Sequence, residues 1–195
     1  MKRLIDIVAA AAALLLLSPV FITVAALVIA ASGFPIFFKQ RRIGKDFHAF
    51  WLWKFRTMRT DSAGTAITVS GDFRVTRIGR ILRAMKLDEI PQFWNVLRGD
   101  MSLVGPRPEL PEYVNLFRNR YRSVLTVRPG ITDLASIRFR NEEDVLAKSA
   151  EPLREYVEKI LPAKLDVAEE YVRTHTILGD VSILLRTATA VLRQR

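Results

Sequence analysis

A chain of 195 residues has room for one compact domain and an accessory segment. It contains no cysteine, which excludes disulfides and thiolate chemistry, and its two histidines, His48 and His175, are too few and too far apart for a zinc site or a catalytic triad. A net charge of +10 calls for anionic partners; lipid headgroups and phosphorylated substrates fit, whereas no nucleic-acid-binding motif is present.

Residues 4–38 carry a single charge, Asp6, and the rest of the chain is densely charged. The chain therefore divides into a membrane segment, residues 1–36, and a polar domain, residues 37–195. The apolar run is longer than the roughly 7–15 residues of a secretory signal core and reaches the about 20 residues that cross a bilayer core. Two features favour a segment that dips in and returns. Ser18-Pro19 lies near its middle, where the proline removes a helical N–H and bends the helix while the serine hydroxyl satisfies a freed carbonyl. Both flanks are basic, Lys2 and Arg3 before it and Lys39, Arg41, Arg42 and Lys45 after it, and basic flanks favour the cytoplasmic side. A kinked spanning helix is the alternative on these residues alone.

Beyond the membrane, "FHAFWLWKFRTM" (47–58) alternates as a strand does, with Trp51 and Trp53 on one face, at headgroup level or in a small core cluster. Residues 59–72 read as a loop. "VTRIGRILRAM" (75–85) is an amphipathic basic helix flanked by Arg74, Arg77, Arg80 and Arg83. A helix over 88–98 stops at Gly99, "VGPRPELP" (104–111) is irregular, and a short helix covers 112–120. "VRPGIT" (127–132) is a turn, "LASIRF" (134–139) a strand, and helices resume from 142 to the end. Along them Tyr156, Val157, Ile160, Leu161, Ile183, Leu184 and Leu185 read as core, while Arg186, Arg193 and Arg195 suit a membrane-surface helix. The expected fold is α+β and mostly helical: a re-entrant helix-break-helix segment, then a small catalytic domain with short strands and amphipathic interfacial helices.

The chemistry concentrates in "RAMKLDEIPQFWNVLRGDMSLVGPRPE" (83–109). Asp88 and Glu89 are adjacent, so on a helix they point about 100° apart and divide labour rather than form a symmetric pair. Pro91 is tolerated in a first helical turn, which places the pair at a helix N-terminus that favours an ionised carboxylate. An ionised aspartate is a competent nucleophile toward phosphorus; an ordinary helix cap is the plainer reading of such a pair by itself. Attack on a diphosphate meets repulsion of about 4 kcal/mol per like-charge pair at 4 Å and an effective dielectric near 20. Cations must offset that, and Lys54, Arg56, Arg83 and Arg107 are the candidates, with a metal ion beside them. Pro106 and Pro108 hold Arg107 in a stiff, extended segment suited to presenting a guanidinium to phosphate oxygens.

The Ser18-Pro19 break, "KFRTM", "LDEIPQFWNVLRGDMSLVGPRPE" and "RPGIT", in this order and spacing over roughly residues 1–140, resemble the bacterial sugar transferases of the monotopic phosphoglycosyl transferase family. The resemblance implies a two-step reaction on the cytoplasmic face of the cell inner membrane. Asp88 attacks the sugar-linked phosphorus of a UDP-sugar and releases UMP; a polyprenyl phosphate, undecaprenyl phosphate in most bacteria, then takes the phosphosugar. Glu89 assists by orienting the nucleophile or handling a proton. Magnesium is the expected cofactor, held at Asp88, with Lys54, Arg83 and Arg107 in or near the site. It also implies the re-entrant form of the membrane segment. One stretch departs from the family: where many relatives continue "RPGIT" with glycine and "LAQV", this chain has Asp133 and "LASIRFRNEED". Sugar or nucleotide selectivity is expected there, with Arg140, or Arg138 two positions before it, facing the phosphates.

Overall fold

The uncharged N-terminal segment folds as two helices, α1 Lys2–Leu16 and α2 Ser18–Ser32, bent by 62° at their junction. The computed structural model describes residues 1–59 and 68–192, with side chains as far as 190; the middle of the predicted 59–72 loop, and Arg193 and Arg195, lie outside the described residues. Pro19 occupies the first turn of α2, and the Ser18 hydroxyl donates to the Leu15 carbonyl at 2.8 Å, as the break requires. No single described helix is long and apolar enough to cross a membrane; the bent pair together has the length and composition.

Both ends of this pair are tied to the polar domain. At the start of α1, the buried Asp6 carboxylate accepts from the Ser102 hydroxyl at 2.9 Å and from Leu103 N–H at 3.2 Å. Arg3 donates to the Val96 and Leu97 carbonyls at 2.7 and 3.1 Å, and Lys2 pairs with Asp180. At the end of α2, the Arg56 guanidinium binds the Gly33 and Phe34 carbonyls at 2.6 and 3.0 Å.

The predicted strand is β2, Ala49–Phe55, and it pairs antiparallel with β1, Phe37–Ile43, from Phe37 opposite Phe55 to Ile43 opposite Ala49. Phe50 and Leu52 face the core and Trp51, 56% exposed, faces out, so Trp51 is not a core residue. Lys39 lies over the Trp53 ring at 4.2 Å, on the same outward face. Helix α3, Arg77–Ala84, is capped by the Thr76 hydroxyl, which accepts from Gly79 N–H. A Cβ at Gly79 would stand 2.2 Å from the Thr57 carbonyl, so only glycine lets α3 close on the chain leaving β2. Helix α4, Gln92–Arg98, ends at Gly99 with φ +95, the left-handed termination expected of that glycine.

Two three-residue strands, β3 Ser102–Val104 and β4 Gly130–Thr132, run parallel. Gly105 and Gly130 cross back to back: a Cβ on Gly130 would lie 2.1 Å from Gly105 N. This crossing seats "GPRPE" on "RPGIT". The remaining helices are α5 Pro111–Leu116, α6 Arg118–Val124, α7 Leu134–Arg138, α8 Glu142–Ala147, α9 Pro152–Glu155, α10 Leu161–Thr174 and α11 Ile177–Leu192, with a π-helical turn, Tyr156–Ile160, leading into α10. Tyr156, Ile160, Leu161 and Ile183 are core, whereas Leu184 and Leu185 are exposed.

Three expectations are corrected. "LASIRF" is a helix, not a strand, because Asp133 caps it, accepting from Ser136 N–H at 2.7 Å and from the Ser136 hydroxyl at 2.6 Å. The 112–120 helix is two helices broken at Phe117 (φ −110, ψ 32). The 88–98 helix begins only at Gln92; Asp88 and Glu89 occupy a separate 3-10 turn, Leu87–Glu89, entered through Lys86 at a positive φ of 57.

Candidate active site

The 3-10 turn aims both carboxylates into the domain, Asp88 at 5% and Glu89 at 8% exposure. Glu89 is engaged through one of its oxygens. The Lys54 ammonium, from the end of β2, stands 2.8 Å from its Oε1, and the Arg107 guanidinium stands 3.7 Å from the same oxygen. Burial pushes the Glu89 carboxyl up, but the charges of Lys54, Lys86 and Arg107 and the hydrogen bond from Lys54 more than offset it, so Glu89 is held well below the ordinary carboxylate range. Asp88 shows the opposite balance. Burial raises its pKa, with Glu89 adding to the rise, and Lys54, Lys86 and Arg83 only partly oppose it. Its Oδ1 is buried without a hydrogen-bond partner. Desolvation, not a helix dipole, thus governs Asp88, because α4 begins beyond it.

Of the predicted cations, Lys54 and Arg107 meet at Glu89. Arg83 donates to the Thr57 hydroxyl at 3.1 Å, lies 3.6 Å from Glu143, and adds its charge at Asp88. Arg56 does not join them, since its guanidinium is spent on the carbonyls that end α2. Arg140 sits exposed in the turn after α7 and forms no ion pair with a described residue; Arg138 is 3.8 Å from Glu170. Arg138 ends α7 and Arg140 lies in the turn beyond it, so the two are not the strand neighbours expected to share a face. Neither histidine enters the site.

Several residues that position the pair are not conspicuous in the sequence. Lys86 acts on both carboxylates from its left-handed backbone position. Asn95, with no exposed surface, accepts from Trp53 N–H at 3.2 Å and donates to the Trp51 carbonyl at 2.8 Å and to Asp100 at 3.2 Å. It thereby fixes the Lys54-bearing strand against α4. Arg42 of β1 grips the Arg107 segment, donating to the Pro108 carbonyl at 3.0 Å and lying 3.6 Å from the Glu109 carboxylate. The Tyr156 hydroxyl donates to Glu109 Oε1 at 3.1 Å. Polar residues buried in tertiary contacts leave no local pattern; only the alternation of Arg107 with prolines and Glu109 hints at such a cradle.

No group of three or more acidic, histidine or cysteine side chains stands ready to hold a metal among the described residues. Asp88 Oδ1 is nonetheless a buried, unpartnered, hard oxygen. Magnesium often binds through one or two carboxylates, with substrate phosphates and water completing its shell, and this donor set fits that habit.

The sequence profile described as bacterial sugar transferase matches residues 1–194. The UDP-glucose:undecaprenyl-phosphate glucose-1-phosphate transferase of Caulobacter vibrioides is 39% identical over 98% of this chain and 69% of its own length. The UDP-N-acetylgalactosamine-undecaprenyl-phosphate N-acetylgalactosaminephosphotransferase of Aeromonas hydrophila is 42% identical over 70% of this chain and 34% of its own. A UDP-glucose:undecaprenyl-phosphate glucose-1-phosphate transferase of Klebsiella pneumoniae is 40% identical over 75% of this chain and 33% of its own. The match thus covers about two thirds of the Caulobacter relative and about one third of the other two.

Proposed function

The chain belongs to the bacterial sugar transferase family, and we propose that it moves a sugar 1-phosphate from a UDP-sugar to a polyprenyl phosphate, undecaprenyl phosphate by the names of its relatives. The observation that carries this reading is the unpartnered, buried Asp88 oxygen beside a glutamate already matched by Lys54 and Arg107. An Asp88 oxygen bonds to the phosphorus that bears the sugar; the bond from that phosphorus to the bridging oxygen breaks, and UMP leaves with the electron pair. A phosphate oxygen of the lipid then bonds to the same phosphorus, the aspartyl–phosphorus bond breaks, and the carboxylate returns. Glu89, held ionised, keeps Lys54 and Arg107 in place for the diphosphate rather than carrying a proton. Asp88 is the residue that would hold magnesium, which supplies Lewis-acid polarisation of phosphate oxygens when bound.

The test is one experiment. Purified chain with UDP-sugar and magnesium, without lipid acceptor, should release one UMP per protein and gain a phosphosugar mass at Asp88; Asp88→Asn should do neither, and chelation with EDTA should stop release until magnesium is restored. Full activity in Asp88→Asn removes Asp88 from the nucleophile's role. Turnover only with acceptor, and no adduct, replaces the covalent route by direct transfer.

We also propose that the bent pair enters and leaves the inner membrane on its cytoplasmic face. Its two ends are bound by the same polar domain, which supports a return rather than a crossing. Two helices of about 22 Å each, at 1.5 Å per residue and bent by 62°, place the apex about 12 Å below the line joining their ends. That is less than half of a hydrocarbon core of about 30 Å. Leu15, Leu16 and Ile22, near the apex, are exposed as lipid contacts would be. An epitope fused before Met1 should be reached from the cytoplasmic face of vesicles; reach from the opposite face alone overturns the arrangement.

A further inference from the structure

A cleft lies between the "PRPE" segment, α7 and α10, lined by Arg107, Glu109, Asp133, Ser136, Lys164 and Ala168 among others. It adjoins the acidic pair through Arg107, which lines the cleft and stands 3.7 Å from Glu89. The negative charges of Asp133 and Glu109 act on that guanidinium from the cleft side. We infer that this cleft is the subsite for the sugar ring, and that Ser136, Asp133 and Lys164 set which sugar is taken. The inference rests on the transferase reading above and names the part of the substrate that the reading leaves unplaced.

Three arguments converge. The sugar is the substituent on the phosphorus that Asp88 attacks, so it must sit beside the cations that meet that phosphate, and Arg107 is one of them. The sugar also stays on the enzyme after the nucleotide leaves, which calls for a site whose walls are the protein's own. The chemistry of the walls fits a polyhydroxylated ring. Asp133 spends one bond on each oxygen, on Ser136 N–H and Ser136 Oγ, and a carboxylate offers about four acceptor sites, so it retains capacity for sugar hydroxyls. Ser136 Oγ keeps acceptor capacity of its own. Lys164 is fixed by its pairing with Glu142 and lies 5.2 Å above the Tyr156 ring, a placed donor rather than a mobile one. Ala168 of α10 supplies apolar surface for the C–H face of a ring. A second phosphate would meet Asp133 and Glu109 as like charges, and an isoprenoid tail would find carboxylates where it needs an apolar wall.

The test compares wild-type protein, Ser136→Ala and Ala168→Leu in lipid nanodiscs containing undecaprenyl phosphate, with magnesium, by UMP release from UDP-glucose, UDP-galactose, UDP-N-acetylglucosamine and UDP-N-acetylgalactosamine, together with inhibition by free UMP. Removing a hydroxyl from a site built to bond substrate hydroxyls, or filling its apolar wall, should lower kcat/KM for the preferred sugar by about tenfold or more and change the order of preference. The inhibition constant of UMP should stay within about twofold. Unchanged sugar preference and kcat/KM in Ser136→Ala overturn the inference, whatever Ala168→Leu does to folding; Ser136→Ala keeps the Asp133 cap through the backbone N–H. Loss of UMP affinity in step with kcat/KM overturns it as well, by assigning the cleft to the nucleoside. No UMP release by wild-type protein from any of the four is a different failure, since it removes the transferase reading itself.

Discussion

Tyr156→Phe isolates the cradle beneath Arg107. The hydroxyl donates to Glu109 Oε1 at 3.1 Å, and Glu109 otherwise relies on Leu110 N–H at 3.2 Å and on Arg42 at 3.6 Å. Burial, with the charge of Glu109 added, pushes the Tyr156 hydroxyl above the usual tyrosine range, so it remains a donor at all working pH values. Deleting it leaves a buried carboxylate one bond short while the ring still packs against Tyr113 at 5.2 Å. A hydrogen bond to a charged group contributes about 1.5–3 kcal/mol. At about 2–4 °C per kcal/mol for a chain of this size, the thermal midpoint should fall by roughly 3–12 °C. Because Glu109 steers Arg107 two residues away, kcat for UMP release should fall as well. Glu109→Gln should destabilise by about 3–5 kcal/mol, since it leaves Arg42 buried without its counter-charge. The double variant should cost less than the sum of the two, because both remove parts of one network. An unchanged midpoint in Tyr156→Phe, or strict additivity in the double variant, refutes the cradle.

Lys54→Met removes the closest cation from Glu89; kcat/KM for UMP release should drop by about 100-fold or more, and a change under threefold excludes Lys54 from the electrostatics of the site. Glu89 has a folded pKa below its unfolded value of about 4.3, so it contributes stability that is complete above that value and lost as pH falls through the folded one. Glu89→Gln should therefore flatten the acid limb of thermal midpoint against pH below about 4.3, and an identical limb in both proteins refutes the assignment. Gly130→Ala places a methyl 2.1 Å from Gly105 N and should abolish the folded protein in limited proteolysis; a protease-resistant Gly130→Ala would show that the β3–β4 crossing is looser than described.

Features set by local chemistry were legible in the sequence. Ser18-Pro19 dictates a break because a missing N–H and a nearby hydroxyl act within one turn, and Gly99 ends α4 through a backbone angle only glycine adopts easily. The strand within 47–58 shows in its alternation, and Lys54 and Arg107 stand out in the sequence as cations that a diphosphate would demand. What failed depended on competition between levels. "LASIRF" has the β-branched and aromatic residues of a strand, yet Asp133 supplies a cap worth about 1 kcal/mol at its start and the helix wins. Arg56 lies two residues from Lys54 and looks equally suited to phosphate, but the carbonyls left open at the end of α2 claim it. Residue type alone ranks Arg56 and Arg107 alike; only the fold distinguishes Arg107, delivered by the Gly105–Gly130 crossing, from Arg56.

On the proposed membrane arrangement, the same contacts make the bent pair part of the unit that carries Asp88 rather than a tether. Arg3, in the first turn of α1, binds the Val96 and Leu97 carbonyls near the end of α4, the helix that follows directly from the acidic pair. Arg56, which closes the end of α2, leaves β2 two residues after Lys54. The two ends of the apolar segment are thus fastened to the helix that follows Asp88 and to the chain leaving the strand that carries Lys54. A lipid phosphate travels in the headgroup plane, and an acceptor confined to a plane can be used only by a nucleophile held at a set height above it. In the proposed reaction, binding both helix ends to those elements sets that height, whereas a flexible anchor would leave the encounter of phosphosugar and lipid phosphate to chance.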